Sequence, residues 1–214
     1  MKHASALLVL ASCAQAPPPA MPPPPDPAVL RRETLEVLAT LERTFYDHWG
    51  DYEKAAVFAR IGASRAPHLR ELADANGEHA LGAMRALARL APAETFTVEA
   101  KAILYVTALG RERNFTRWGV ISRSGFLPGV YGAELLALKA ASLPYLRKLL
   151  TDTRRARVFG GEGERTNAAQ GDRVCDYAWV FLVTILDRPL GYHPEPDRRD
   201  PQIRDFDLWL DRRR

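Results

Sequence analysis

The 214-residue chain is 47% hydrophobic and 26% charged, with a formal net charge of +4. That composition supplies a core for one domain and excludes a uniformly basic surface of the kind that coats nucleic acid. Beyond the N-terminus the longest apolar run, Trp179 to Leu186, falls far short of the ~20 residues that cross a bilayer.

The chain opens with MKHASALLVLAS, residues 1–12. Lys2, His3 and the terminal amine make a positive start, and Ala6 to Ala11 make a short apolar stretch, the pattern of an export signal. It ends in Leu10-Ala11-Ser12-Cys13, which resembles the lipobox of bacterial lipoproteins: a Leu, two small residues, then Cys. In that family the Cys thiol receives a diacylglyceryl group, the signal is cut before the Cys, and the new amine is acylated. The resemblance implies that residues 1–12 are a signal peptide and that Cys13 is the lipid attachment site. Ala14 stands where an Asp would retain a lipoprotein at the inner membrane, which implies the outer membrane, facing the periplasm. The chemistry suits the position, since a thiolate is the strongest side-chain nucleophile for a thioether, and each buried CH₂ adds about 0.8 kcal/mol of anchoring. The alternative for the same residues is an ordinary export signal cut after Ala14. If Cys13 carries lipid, Cys175 has no partner and no disulfide framework exists.

Residues 13–28 form a linker with proline blocks at Pro17–Pro19 and Pro22–Pro25. Polyproline II rises ~3.1 Å per residue, so this stalk spans about 45 Å. Residues 29–214 form a single α-helical domain. Its first helix is nucleated at Asp26-Pro27, with Asp as N-cap and Pro at the first helical position. Leu30, Leu38, Leu41 and Phe45 give that helix an apolar stripe. Further helices are predicted over Tyr52–Ile61, over Pro67–Ala75 ending at the Asn76-Gly77 turn, and over Glu78–Leu90. A helix from Thr97 to Gly110 is apolar on more than one side and so belongs near the centre. Residues 111–131 break the pattern, with Val120–Phe126 the one strand candidate. Helices at Gly132–Ala141 and Leu143–Thr151 follow, the second capped by Ser142. A polar, glycine-rich loop spans 153–171. Asp172 caps the next helix, whose stripe is Val174, Tyr177, Ala178, Phe181, Leu182 and Ile185. A last helix spans Pro201–Leu210.

The segment Ala133 to Asp152, AELLALKAASLPYLRKLLTD, resembles one HEAT-type repeat: helix, turn with Leu143-Pro144, leucine-rich second helix, closing Asp. Helix pairs at 52–75 and 78–109 are candidate degenerate units. The fold class expected is therefore all-α, either a HEAT-like α-α array or an irregular helical bundle, and the resemblance implies a protein-binding scaffold.

Chemistry is sparse. No His, Cys or acidic pair has a ligand spacing such as HExxH or CxxC, so no metal or cofactor is expected; His48 with Asp47 and Asp51 is a helix-end cluster. Cys175, beside a helix start, is the one thiol nucleophile candidate, and a buried structural cysteine is the better reading. From Arg111 to Arg157 there are ten Arg/Lys and three acidic residues, a basic middle suited to anionic lipid headgroups or an acidic envelope component. Aromatic residues Phe115, Trp118, Phe126 and Tyr131 interleave there with arginines, as core plugs or as the floor of a basic groove. The candidate binding surface is Arg113, Arg117, Trp118, Arg123, Arg165, Asn167, Arg173 and Asp176. The function read from this is a membrane-anchored scaffold that binds a protein or envelope partner and not nucleic acid. The alternative is an envelope hydrolase using Cys175, or Glu162 and Glu164 with Asp176.

Overall fold

The computed structural model describes residues 26–44, 65–93 and 95–213. The expected export signal, Cys13, the expected proline-rich linker up to residue 25, the helix expected over 52–61, and His48 with Asp47 and Asp51 lie outside the described residues. Nine helices occur among those described: α1 Pro27–Thr44, α2 Ala66–Asp74, α3 Ala80–Leu90, α4 Val98–Arg111, α5 Val130–Ala137, α6 Leu143–Arg147, α7 Gly161–Gln170, α8 Val174–Ile185 and α9 Pro196–Asp211. A two-stranded antiparallel hairpin, β1 Gly119–Ser122 and β2 Gly125–Pro128, overlaps the single strand candidate Val120–Phe126 and extends past both its ends, pairing Gly119 with Pro128 and Ser122 with Gly125. The fold is thus mainly α-helical, with one small two-stranded sheet among the described residues.

Local signals set most boundaries. Asp26 caps α1, accepting from the Ala28 N–H at 2.9 Å, and Thr97 caps α4, accepting from Ala100 N–H at 3.1 Å. Asn76 takes a left-handed φ of 48° in the turn between α2 and α3, where Asn is tolerated. These two helices pack as a hairpin against α1 and α4, burying Leu38, Leu69, Ala73, Met84 and Leu87.

Three expectations are corrected. Ser142 holds the N-cap position of α6 but makes no side-chain capping bond: its hydroxyl donates back to the Lys139 carbonyl at 2.8 Å, inside a 3₁₀ turn, Lys139–Ser142, that joins α5 to α6. The glycine-rich stretch 153–171 is not all loop, because α7 forms within it and ends at Gly171 in the left-handed conformation, φ 62°. The last helix starts at Pro196, five residues earlier than predicted, and carries Pro201 inside it. Its Ile203 is buried as expected, but Leu208 is exposed.

Helix α8 is the axis of the C-terminal half. Every residue from Val174 to Val183 is buried, so its apolar stripe is one part of a helix enclosed on all sides by α5, α6 and α9. The irregular segment 111–131 plugs the space beside it. Trp118 and Phe115 are fully buried. The Trp118 ring meets Tyr131 edge-on at 5.6 Å and Phe181 at 6.4 Å, geometries that aromatic quadrupoles favour. Tyr177 donates to the Gly119 carbonyl at 2.8 Å, pinning β1 to α8. The aromatic residues of this segment are therefore chiefly core plugs.

The close approach of α5 to this plug requires Gly132. A Cβ there would overlap the Trp118 carbonyl oxygen and lie 3.4 Å from the Phe181 ring. Backbone cannot step aside as a side-chain end can. Gly132→Ala is expected to cost about 3 kcal/mol, read as a lowered urea midpoint; an unchanged midpoint would show that α5 can slide away from the plug.

Candidate functional site

Two polar regions stand out, one sealed and one open. The sealed one surrounds the start of α8. Its N-cap is Arg173 rather than Asp172: Asp176 accepts from the Arg173 N–H at 2.8 Å, doing for the helix start what a capping carboxylate does. Asp176 is fully buried and accepts from the Arg199 guanidinium at 3.0 Å. Arg199, itself fully buried on α9, also donates to the carbonyls of His193 at 3.0 Å, Pro194 at 2.9 Å, Gln170 at 3.1 Å and Gly171 at 3.3 Å. Asp172 is fully buried too. It lies 3.7 Å from Arg199 and accepts from Tyr192 O–H and from Asn167 Nδ2 at 3.0 Å. The Asn167 carbonyl oxygen in turn accepts from Val158 N–H at 3.2 Å.

This cluster consumes its own chemistry. Each charged group faces a partner, and none of Asp172, Asp176 or Arg199 reaches solvent. Burial pushes the Asp172 carboxyl up to about 6, against the opposing pull of Tyr192, Arg199 and Asn167. The neighbouring Cys175 is 2% exposed, and burial, helped by the Asp176 charge, pushes its thiol up to about 12. A thiol so held is protonated at neutral pH and is no nucleophile. Glu162 and Glu164 are exposed on α7, and Glu164 accepts from Gly160 N–H at 2.9 Å. Neither pairs with Asp176 in a catalytic constellation. Among the described residues no group of three or more His, Cys, Asp or Glu is placed to hold a metal ion.

The open region is a groove of about 730 Å³ lined by Glu112, Arg113, Asn114, Arg154, Arg155, Arg157 and Phe159, within the size range of ligand sites. One wall is the turn after α4. The other is a strap, residues 154–159, held on both sides. Phe115 N–H donates to the Arg157 carbonyl at 2.7 Å, and Phe159 N–H donates to Thr116 Oγ1 at 2.9 Å. On the far side Ala156 N–H donates to the Asp172 carbonyl at 2.8 Å, Val174 N–H to the Arg154 carbonyl at 2.9 Å, and Arg155 forms a β-bridge with Arg173. Burial along the strap alternates: Ala156 and Val158 are buried, whereas Arg155, Arg157 and Phe159 are exposed. That is the period of a strand, and it turns the two arginines and the phenylalanine outward together.

The eight residues predicted to form a binding surface are dispersed. Arg113 lines the groove. Arg123 is exposed at the hairpin turn and lines two other cavities, of about 490 and 410 Å³, with Pro194 and Glu195. Arg165 is exposed on α7. The others are corrected inward. Trp118 is a core plug. Arg117 is buried and donates to the Tyr131 hydroxyl at 3.0 Å. Asn167 and Asp176 belong to the sealed cluster. Arg173 is half-buried and bonded to Asp176 at 3.1 Å and Asp200 at 2.6 Å. Arg155, Arg157 and Phe159 join Arg113 in the groove without having been expected there; their signal in the sequence is the alternation in Arg155-Ala156-Arg157-Val158-Phe159, hidden within a glycine-rich stretch. The chain matches no family model, no curated protein and no solved structure, so function rests on its own residues.

Asp172 gives the cluster a pH signature. Its folded value of about 6 lies above the ordinary 3.8, so the folded state binds the proton more tightly. The contribution is complete below pH 3.8 and is lost as pH rises through 6. Wild type is expected to lose on the order of 3 kcal/mol relative to Asp172→Asn between pH 3.5 and pH 7, measured by urea unfolding of both proteins at the two pH values. Parallel pH profiles would show that Asp172 ionises freely.

Proposed function

We propose that this chain is a lipid-anchored binding module of the bacterial cell envelope, holding an anionic component in its arginine groove. The observation that carries the reading is charge left unneutralised. Arg154 is paired with Asp152 at 2.5 Å, and Arg155 donates to the Ala168 carbonyl at 3.1 Å. The Arg113 and Arg157 guanidiniums have no hydrogen bond or ion pair among the described residues. Exposed arginines gathered on a rigid wall, beside a phenylalanine that is 47% exposed, suit capture of an anion with an apolar part.

The proposed location rests on the sequence. Leu10-Ala11-Ser12-Cys13, which resembles a lipobox, and Ala14 support the outer membrane, facing the periplasm, with the proline-rich linker as spacer. Within the helical fold we favour the irregular bundle over the HEAT-like array. Segment 133–152 holds a helix that ends at Ala137, a 3₁₀ turn and a helix of five residues, too short for the paired helices that stack in such arrays.

Two measurements test the reading. Radiolabelled palmitate is expected in wild type and not in Cys13→Ala; equal labelling, or none in either, removes the anchor. On an immobilised polyanion, Arg113→Gln and Arg157→Gln are each expected to weaken binding about tenfold, the worth of one charge-assisted hydrogen bond. Retention identical to wild type in both variants removes the groove as the binding site.

A further inference from the structure

Resting on the groove as the binding site, we infer that its ligand is a phosphate monoester dianion carrying an apolar group, seated against Asn114, Arg113 and Arg157, with Phe159 covering the apolar part. The first support is charge. Four arginines and Glu112 line the groove, and Asp152 is paired to Arg154; four positive charges less two negative leave an excess of two. A monoester at neutral pH carries close to two negative charges, whereas a diester or a single carboxylate carries one. Glu112 does not project its charge freely. One carboxylate oxygen accepts from the Arg113 and Asn114 N–H groups at 2.8 and 2.9 Å, and the other from Trp118 Nε1 at 3.4 Å.

The second support is an unused donor. Asn114 is 4% exposed. Its Oδ1 accepts from Thr116 N–H at 3.0 Å, which fixes the orientation of the amide. Its Nδ2 is then left buried without a hydrogen-bond partner. A buried donor without an acceptor carries a standing cost, and Asn114 lines the groove among the arginines. An anion with several acceptor oxygens satisfies that donor and the two unpaired guanidiniums at once. In the sealed cluster Arg199 Nε is likewise without a partner, but there the guanidinium charge is already met by Asp172 and Asp176, which disfavours an added anion.

Phosphate monoesters occur in envelopes as lipid headgroups and as soluble compounds, and one set of measurements separates the two. The full chain in detergent is titrated calorimetrically with phenyl phosphate, diphenyl phosphate and benzoate at pH 7.5. Phenyl phosphate is expected to bind at least tenfold more tightly than the other two. Asn114→Asp keeps the acceptor for Thr116 and replaces the donor with a carboxylate, so it is expected to lose at least tenfold in phenyl phosphate affinity; the buried charge also lowers its thermal midpoint, and the titration is run below that midpoint on protein shown to be folded by circular dichroism. Arg157→Gln serves as an exposed-site variant with no folding role and is expected to lose about tenfold. Full-chain Cys13→Ala is then floated with vesicles containing phosphatidic acid or, at equal surface charge, phosphatidylglycerol. Preferential flotation with phosphatidic acid identifies a lipid source; phenyl phosphate binding without that preference identifies a soluble one. Equal affinity for all three anions overturns the dianion assignment, as does an unaltered affinity in Asn114→Asp. Failure to bind phenyl phosphate, with polyanion retention still dependent on Arg113 and Arg157, overturns the phosphate inference and leaves the binding-module reading standing.

Discussion

The C-terminal half of this protein depends on one buried guanidinium. Arg199 is fully enclosed, and removing a charge from water costs several kcal/mol unless every donor finds an acceptor and an opposite charge lies close. Here Asp176 and Asp172 provide the charge, and four backbone carbonyls provide most of the remaining acceptors. Those partners come from the end of α7, the start of α8 and the segment before α9. A single side chain thus holds three elements in register that the sparse hydrophobic face of α9 would hold only weakly. Loss of one partner leaves the rest uncompensated, which makes the cluster all-or-none in character.

The open groove inherits its shape from this sealed cluster. Asp172 is bonded through its side chain to Asn167 and through its backbone carbonyl to Ala156; Asn167 then fixes Val158. The strap that carries Arg155, Arg157 and Phe159 is therefore set by groups that do not line the groove. Charges inside neutralise one another and fix geometry, while of the groove arginines Arg154 is paired with Asp152 and Arg113 and Arg157 have no ion pair among the described residues. A binding surface on an otherwise loose loop would lose entropy on capture; the strap proposed to bind has its backbone already bonded in place.

The sequence was most legible where structure is local. Asp26, Thr97 and Asn76-Gly77 set helix ends through contacts within a few residues, and their side chains appear where those contacts demand. The break at 111–131 and its strand candidate were visible because glycine and proline interrupt the helical period. What was not legible came from distant partners. Asp172 has the composition and position of an N-cap, yet Tyr192 and Arg199 draw it inward and Arg173 takes the cap. Arg117 and Asp176 look like solvent-facing charges until Tyr131 and Arg199 are brought beside them. Helix α7 lacks an apolar stripe, so periodicity passed over it; Asn167 and Gln170 bury polar rather than apolar surface on it. Arg113 was found from charge density alone, while its groove partners across the strap required the fold.

The alternating strap has an evolutionary consequence. Its backbone is bonded on both edges and its inward residues are Ala156 and Val158, so the outward positions 157 and 159 contribute little to the core, whereas Arg155 also ties the strap to α7. If the cleft binds a ligand as proposed, substitution at 157 and 159 would reassign what it selects while leaving the architecture intact. Diverged descendants of this scaffold would then differ in taste for cargo at two alternating letters, with Asp172, Asp176 and Arg199 unchanged beneath them.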